Sequence, residues 1–204
     1  MKKRAALHNL GCKVNAYETE AMRQLLEEDG YEIVPFEPGA DVYVINTCTV
    51  TNIADRKSRQ MLHKARKMNP DAIVVAAGCY VETADGGVEK DPAIDIILGN
   101  NQKNQLVSVI RDFEQKRAGK RAEEPSGVMT KKIDINHTKE YENLIIDRTE
   151  NRTRADIKVQ DGCNQFCTYC IIPFARGRVR SRDTQDVLQE VRALAASGCQ
   201  EIVL

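Results

Sequence analysis

The chain has 204 residues, enough for one full domain and part of a second. Its 30 basic and 30 acidic residues cancel, so overall charge names no partner, and no run of about 18 apolar residues exists to span a bilayer. The opening Met1-Lys2-Lys3-Arg4-Ala5-Ala6-Leu7-His8 lacks the apolar core of a secretory signal, and seven cysteines in clustered contexts suit metal-bound thiolates better than a disulfide framework. A soluble, cytoplasmic protein with no membrane partner is expected.

Residues Ala5–Leu10 read as a short strand, followed by Gly11-Cys12 and a helix from about Ala16 to Asp29. Asn15 and Glu18 form a capping-box-like start, Met22, Leu25 and Leu26 supply the apolar face, and Gly30 fits the stop. Tyr31–Pro35 is a weaker strand candidate. Val42–Ile45 is a better one, ending in Asn46-Thr47-Cys48 ahead of a helix near Ile53–Met68 that closes at Asn69-Pro70. Ile73–Ala77 is a nearly continuous apolar run, as buried parallel strands are, and stops at Gly78-Cys79. Ile94–Leu98 gives one more strand and Gln102–Gln115 a closing helix. The alternation predicts an α/β fold, with a parallel-sheet domain over residues 2–115 and helices on both of its faces.

Over residues 116–148 the composition shifts to Lys, Glu, Gly, Pro, Ser and Asn, which reads as a connector with a short strand near Lys132–Ile135. Residues 149–204 predict a strand over Ala155–Val159, a long loop, a helix over Thr184–Ala196 with Asp183 as N-cap, and a strand from Glu201. This is the first β-loop-α-β of a larger, incomplete barrel, too little to turn over substrate alone.

The loop carries Cys163, Cys167 and Cys170 in the spacing C-x3-C-x2-C. Tetrahedral zinc takes four protein ligands, and no histidine lies near this loop to be the fourth. A four-iron cluster held by three thiolates leaves one iron open to a substrate or cofactor. Cys12, Cys48 and Cys79 are distant in sequence, yet each follows a predicted strand, so a parallel sheet brings all three loops to one edge. Small hydrophobes at strand ends remain the plainer reading of these three.

The Cys163 loop resembles the cluster loop of the radical S-adenosylmethionine enzymes. The resemblance implies that Cys163, Cys167 and Cys170 ligate a [4Fe–4S] cluster whose open iron takes the cofactor's amino and carboxylate groups, and that Tyr169 packs near the adenine. Reductive cleavage of the cofactor then yields a 5′-deoxyadenosyl radical. Leu10-Gly11-Cys12-Lys13-Val14-Asn15, Asn46-Thr47-Cys48-Thr49-Val50 and Ala77-Gly78-Cys79, followed by that loop, are together similar to the radical methylthiotransferases over almost the whole chain. The likeness implies a second [4Fe–4S] cluster on Cys12, Cys48 and Cys79, carrying the sulfur or methylthio group, and an electron donor as partner.

Members of that family modify tRNA or a ribosomal protein. The residues after Cys12, with Glu18, resemble the branch that acts on N6-threonylcarbamoyladenosine at position 37 of tRNA, in the anticodon loop, rather than the isopentenyladenosine or ribosomal-protein branches. Abstraction of hydrogen from C2 of the adenine suits radical chemistry, because no side-chain base in the ordinary pKa range could deprotonate it. Two other classes stand beside this one, a zinc-stabilised RNA-binding module and an iron–sulfur electron carrier. Arg176, Arg178, Arg180 and Arg182 alternate, so an extended backbone would line them along one side as an RNA strip or as support for an anionic cluster. Cys199 matches no ligand position and reads as a packed thiol, and the three histidines read as structural.

Overall fold

The computed structural model describes residues 2–84, 86–119, 127–149 and 153–204. Strands β1 (Arg4–Asn9), β2 (Glu32–Ile33), β3 (Val42–Thr47), β4 (Ile73–Gly78), β5 (Ile96–Leu98) and β6 (Met129–Lys131) form one sheet in the order β2-β1-β3-β4-β5-β6. Every pairing in it is parallel. Helices α1 (Lys13–Glu28), α2 (Asn52–Met68), α3 (Cys79–Thr83) and α4 (Leu106–Ala118) connect these strands.

Side chains along a strand alternate between faces, and the two cores follow that period. Val42, Val44, Val75, Ile96 and Leu98 meet Met22 and Leu26 of α1 and Leu106, Ile110 and Phe113 of α4. Tyr43, Ile45, Val74, Ala76 and Ile97 turn the other way, onto Leu62 and Ala65 of α2 and Val81 of α3. The sheet is covered on both faces, as the unbroken apolar run of Ile73–Ala77 required.

The C-terminal unit is built from β7 (Arg154–Asp156), β8 (Gln160–Asp161), α5 (Ile172–Ala175), β9 (Arg180–Ser181), α6 (Thr184–Ala196) and β10 (Glu201–Val203). β10 lies parallel to β7, giving a β-loop-α-β unit, and the antiparallel β8–β9 pair closes the base of the loop between them. A third apolar cluster joins this unit to the first: Tyr17 and Ala21 of α1 pack with Leu144, Ile146, Ala155, Ile157 and Leu194. Helix α1 is thus buried on two sides.

Three expectations shift. The strand expected at Lys132–Ile135 forms at Met129–Lys131, where it extends the sheet beside β5. The helix expected from Gln102 begins with a 3-10 turn, Lys103–Gln105, before α4. Helix α1 starts at Lys13 with Cys12 as its N-cap residue and no side-chain cap, so Asn15 and Glu18 do not form a capping box. Both are buried and serve the interior instead. Asp183 does cap α6, accepting from the Gln185 amide at 2.8 Å.

Gly78 ends β4 with φ 95° and ψ −161°, a region essentially closed to residues with a Cβ. A Cβ there would lie 2.5 Å from both Asn46 Oδ1 and the Thr47 carbonyl oxygen. Gly78→Ala is expected to destabilise the fold by about 1–3 kcal/mol or more, measured as a drop in the urea midpoint. An unchanged midpoint would show that the turn does not need glycine.

Candidate functional site

Cys12, Cys48 and Cys79 follow β1, β3 and β4, three neighbouring strands of the parallel sheet. Thr47 and Gly78 are register partners, so Cys48 and Cys79 leave the sheet side by side. Cys48 and Cys79 are buried and Cys12 is exposed. Gly11, at φ 108°, passes so close to Cys48 that a Cβ on it would sit 2.8 Å from the Cys48 sulfur. Only glycine lets the β1–α1 turn share that space.

The three loops are tied together by amides. Asn15 donates to the Leu10 carbonyl at 2.7 Å and the Thr47 carbonyl at 2.9 Å, bridging the turns before Cys12 and Cys48. Asn46 donates to the Asn15 carbonyl at 2.9 Å. Ser58 of α2 accepts from the Cys48 amide at 3.2 Å and donates to its carbonyl at 3.0 Å. Asn100 directs its amide at the Cys79 sulfur, 3.7 Å away, and at the Ala175 carbonyl, 2.6 Å away.

Behind the loops lies a buried cluster of charge. Glu18 is fully enclosed and meets Lys103 at 3.1 Å, Lys158 at 2.8 Å and Arg176 at 2.9 Å. Arg176 also reaches Asp161 at 3.0 Å and the side-chain oxygen of Asn15 at 2.7 Å. Burial alone would favour a neutral Glu18, but Arg176, Lys103 and Lys158 outweigh it and hold the carboxyl well below its ordinary value. Burial pushes the Cys79 thiol up, while Arg176 and Lys103 pull the other way. With Arg180 3.9 Å from Asp161 and the buried Glu142 facing Lys103 and Lys158, four cations meet three carboxylates beside the thiols.

The same cluster reaches the second thiol set. Asp161 accepts from the Gly162 amide at 2.9 Å, and the Cys163 amide donates to the Gly177 carbonyl at 3.0 Å. A Cβ on Gly162 would collide with the Arg178 carbonyl, so the loop's two ends cross at a glycine. Phe166 and Phe174 pack edge to face at 5.9 Å, and Arg178 covers Phe166 at 4.1 Å. Cys163 and Cys170 are half-buried and Cys167 is exposed. Tyr169 is 91% exposed.

All seven cysteines are free thiols. Among the described residues no three His, Cys, Asp or Glu side chains converge closely enough to hold a bare metal ion. What fits a larger sulfide-bridged core is the donor chemistry: three thiols on adjacent strand ends with a net positive backing.

The arginine strip does not form. Arg176 ends α5 and is buried on Glu18 and Asp161; Arg180 is buried on the Ile135, Arg176 and Arg178 carbonyls; Arg182 is buried on Glu190. Only Arg178 is exposed. Arg176 is helical at the end of α5 and Gly177 has φ 73°, so the run is not extended until β9 and the alternation never becomes one edge. Sequence reasoning missed Glu18, Lys103, Lys158 and Asp161 as a group, because nothing local signals that charges over 140 residues apart will share one interior. Cys199 packs against the third apolar cluster, and His63 and His137 pair with Asp91 and Asp134 at 3.0 and 2.6 Å.

Residues 4–99 match the family model described as "Uncharacterized protein family UPF0004", and residues 157–204 match "Radical SAM superfamily". The chain is 45% identical over 199 residues to the threonylcarbamoyladenosine tRNA methylthiotransferase MtaB of Bacillus subtilis, covering 98% of this chain and 42% of that protein. Along nearly its whole length the chain is similar to methylthiotransferases of the radical S-adenosylmethionine type. It is also 39% identical over 204 residues to the protein of the same name from Aquifex aeolicus, covering 98% and 47%. To the tRNA-2-methylthio-N(6)-dimethylallyladenosine synthase of Carboxydothermus hydrogenoformans it is 32% identical over 201 residues, covering 95% and 43%. The chain thus spans less than half the length of these curated relatives. No helix among the described residues is long and apolar enough to cross a membrane.

Removing one partner of a buried charge group leaves the others uncompensated. Glu18→Gln is expected to cost about 3–5 kcal/mol at pH 7, read from urea midpoints. Because the folded pKa of Glu18 lies below its ordinary 4.5, the unfolded chain takes up the proton first as pH falls. The carboxylate's contribution is therefore complete above about 4.5 and is lost with acid, so the variant should show a shallower decline in stability than the parent between about pH 5 and 3.

Proposed function

We propose that this chain is the N-terminal part of a cytoplasmic enzyme that inserts a methylthio group at C2 of N6-threonylcarbamoyladenosine 37 in the tRNA anticodon loop. Residues 2–115 would be the methylthiotransferase domain, 116–148 the connector and 149–204 the start of the radical core. The single observation that carries this reading is the buried frame around Glu18 and Arg176, which joins two separate three-thiol sets into one arrangement. The names of the relatives support tRNA as the substrate, and two of them specify threonylcarbamoyladenosine.

Cys12, Cys48 and Cys79 would hold one [4Fe–4S] cluster and Cys163, Cys167 and Cys170 another, with S-adenosylmethionine bound at the second. When bound, these groups supply reductive cleavage of the cofactor, radical abstraction of hydrogen and the methylthio group to be transferred.

The chain's own residues do the positioning. Asn15, Asn46 and Ser58 fix the backbone on either side of Cys12 and Cys48, so their thiols emerge from set positions. Asn100 aims its amide at the Cys79 sulfur itself, and Lys103, donating to Asn100 Oδ1 at 2.6 Å, orients that amide. Burial holds the Cys79 thiol above its ordinary value, and Arg176 and Lys103 offset part of that rise. Gly11 and Gly78 let neighbouring loops pack closer than a Cβ would allow. Tyr169, exposed on the second loop, is free to meet an adenine face.

Anaerobic reconstitution of the full-length protein is expected to give about eight irons, four per cluster. Changing Cys12, Cys48 and Cys79 together to Ala should leave about four irons and 5′-deoxyadenosine formation intact while abolishing thiolation. A parent protein holding zinc, or holding iron without cleaving the cofactor, would return the reading to a binding module or an electron carrier. Nucleoside mass analysis of tRNA from cells lacking the protein tests the substrate: methylthio-threonylcarbamoyladenosine should disappear, and loss of the isopentenyladenosine derivative instead would move the protein to that branch.

A further inference from the structure

We propose that the outer face of α2 is a docking surface for the phosphate backbone of the tRNA, leading toward the thiols at its N-terminal end. The inference rests on the tRNA reading above and assigns to it a surface that the buried arginines of residues 176–182 do not provide.

The charge of the chain is not evenly spread. Helix α2, Asn52–Met68, carries six Lys and Arg residues against one Asp, whereas α1 and α6 hold more acid than base and α4 an excess of one base. Ser58, Leu62 and Ala65 are its buried positions. At 3.6 residues per turn Arg56 and Lys67 fall opposite these, Lys57 and Lys64 fall together on the adjoining flank, and all four are exposed. They span roughly 16 Å of helix at 1.5 Å per residue, enough to follow several successive phosphates.

These four are cations without an acid. No carboxylate among the described residues pairs with any of them, while the acids beside the helix are already engaged: Asp95 with Arg66 at 2.5 Å and Asp91 with His63 at 3.0 Å. Unpaired lysines and arginines in a row gain little for the fold and lose nothing when they take up a polyanion. The apolar side of α2 is buried against the sheet through Leu62 and Ala65, so the helix has no free lipid-facing stripe and is not a membrane anchor.

Position favours RNA as the occupant. Helix α2 is capped by Thr51, three residues after Cys48, and Arg59 lies over the ring of Tyr80, next to Cys79, at 5.8 Å. The helix that carries the basic face therefore starts beside the loops of two of the three thiols of the first set. At that end Val50 and Ile53 are 56% and 58% exposed, an apolar lip against which a splayed base can lie. A strand held by its phosphates along α2 would bring a nucleoside to the sheet edge where the loops meet.

The test uses the full-length protein, anaerobically reconstituted, and an unmodified tRNA transcript, with affinity read by fluorescence anisotropy across a salt series. Arg56→Gln with Lys57→Gln and Lys64→Gln with Lys67→Gln are made separately and together. The four-site variant should bind at least about tenfold more weakly near 0.1 M salt, with the slope of log affinity against log salt shallower by about 1 for each phosphate no longer neutralised. Iron content and 5′-deoxyadenosine formation without tRNA should match the parent. The paired control Lys2→Gln with Lys116→Gln, exposed cations outside α2, should leave affinity intact.

Equal affinity and slope in the four-site variant would overturn the surface alone, as would an equal loss in the control. Intact tRNA affinity with impaired reduction by an acidic protein donor would give the face to that donor and overturn the RNA assignment. A parent that binds no tRNA would instead sink the functional reading on which the surface depends.

Discussion

The structure turns on the ion pair between Glu18 and Arg176. It joins α1 of the sheet domain to the loop of the C-terminal unit, and both partners are enclosed. Taking two charges out of water costs several kcal/mol per ion, so such a pair is weak as a source of stability. Its value lies in position. Lys103, Lys158, Asp161 and Asn15 complete the ring, and a shift of either unit would strand several charges at once. The two thiol loops therefore have one relative placement in which the interior is satisfied.

Around that constraint the rest is the ordinary geometry of a parallel sheet. Every strand ends on the same edge, so cysteines placed after β1, β3 and β4 arrive together without any local motif. The glycines beside them permit backbone conformations and approaches that a Cβ would block, at Gly11 against Cys48 and at Gly78 against Thr47. Polar side chains then fix loops that the sheet only delivers. Tyr17 shows how the second interface is finished: its ring sits in the apolar cluster between the units while its hydroxyl donates to the Leu144 carbonyl at 2.5 Å.

Charge is divided by role. The arginines at 176, 180 and 182 are spent inside, on carboxylates and on backbone carbonyls, where they register one segment on another. The cations of α2 are left outside. A sequence count makes the two groups alike, since both are runs of base with little acid. Burial separates them, because a guanidinium that reaches a buried carboxylate is no longer available to a ligand.

Periodicity in the sequence determined the helix-covered parallel sheet, and cysteine spacing determined which thiols were candidates. Those signals are local: alternation of two in the strands, 3.6 in the helices, C-x3-C-x2-C in the loop. Asn15 and Glu18 carried a local signal that misled, since the three-residue spacing of a capping box is also the spacing of one inward helix face. Only the tertiary structure decided that this face meets Arg176 and Lys158, that three of the four arginines after α5 turn inward, and that α2 keeps its cations in solvent. The physical reason is that the partner of a buried charge is chosen by packing between units far apart in the chain, and no window of sequence contains both sides of that choice.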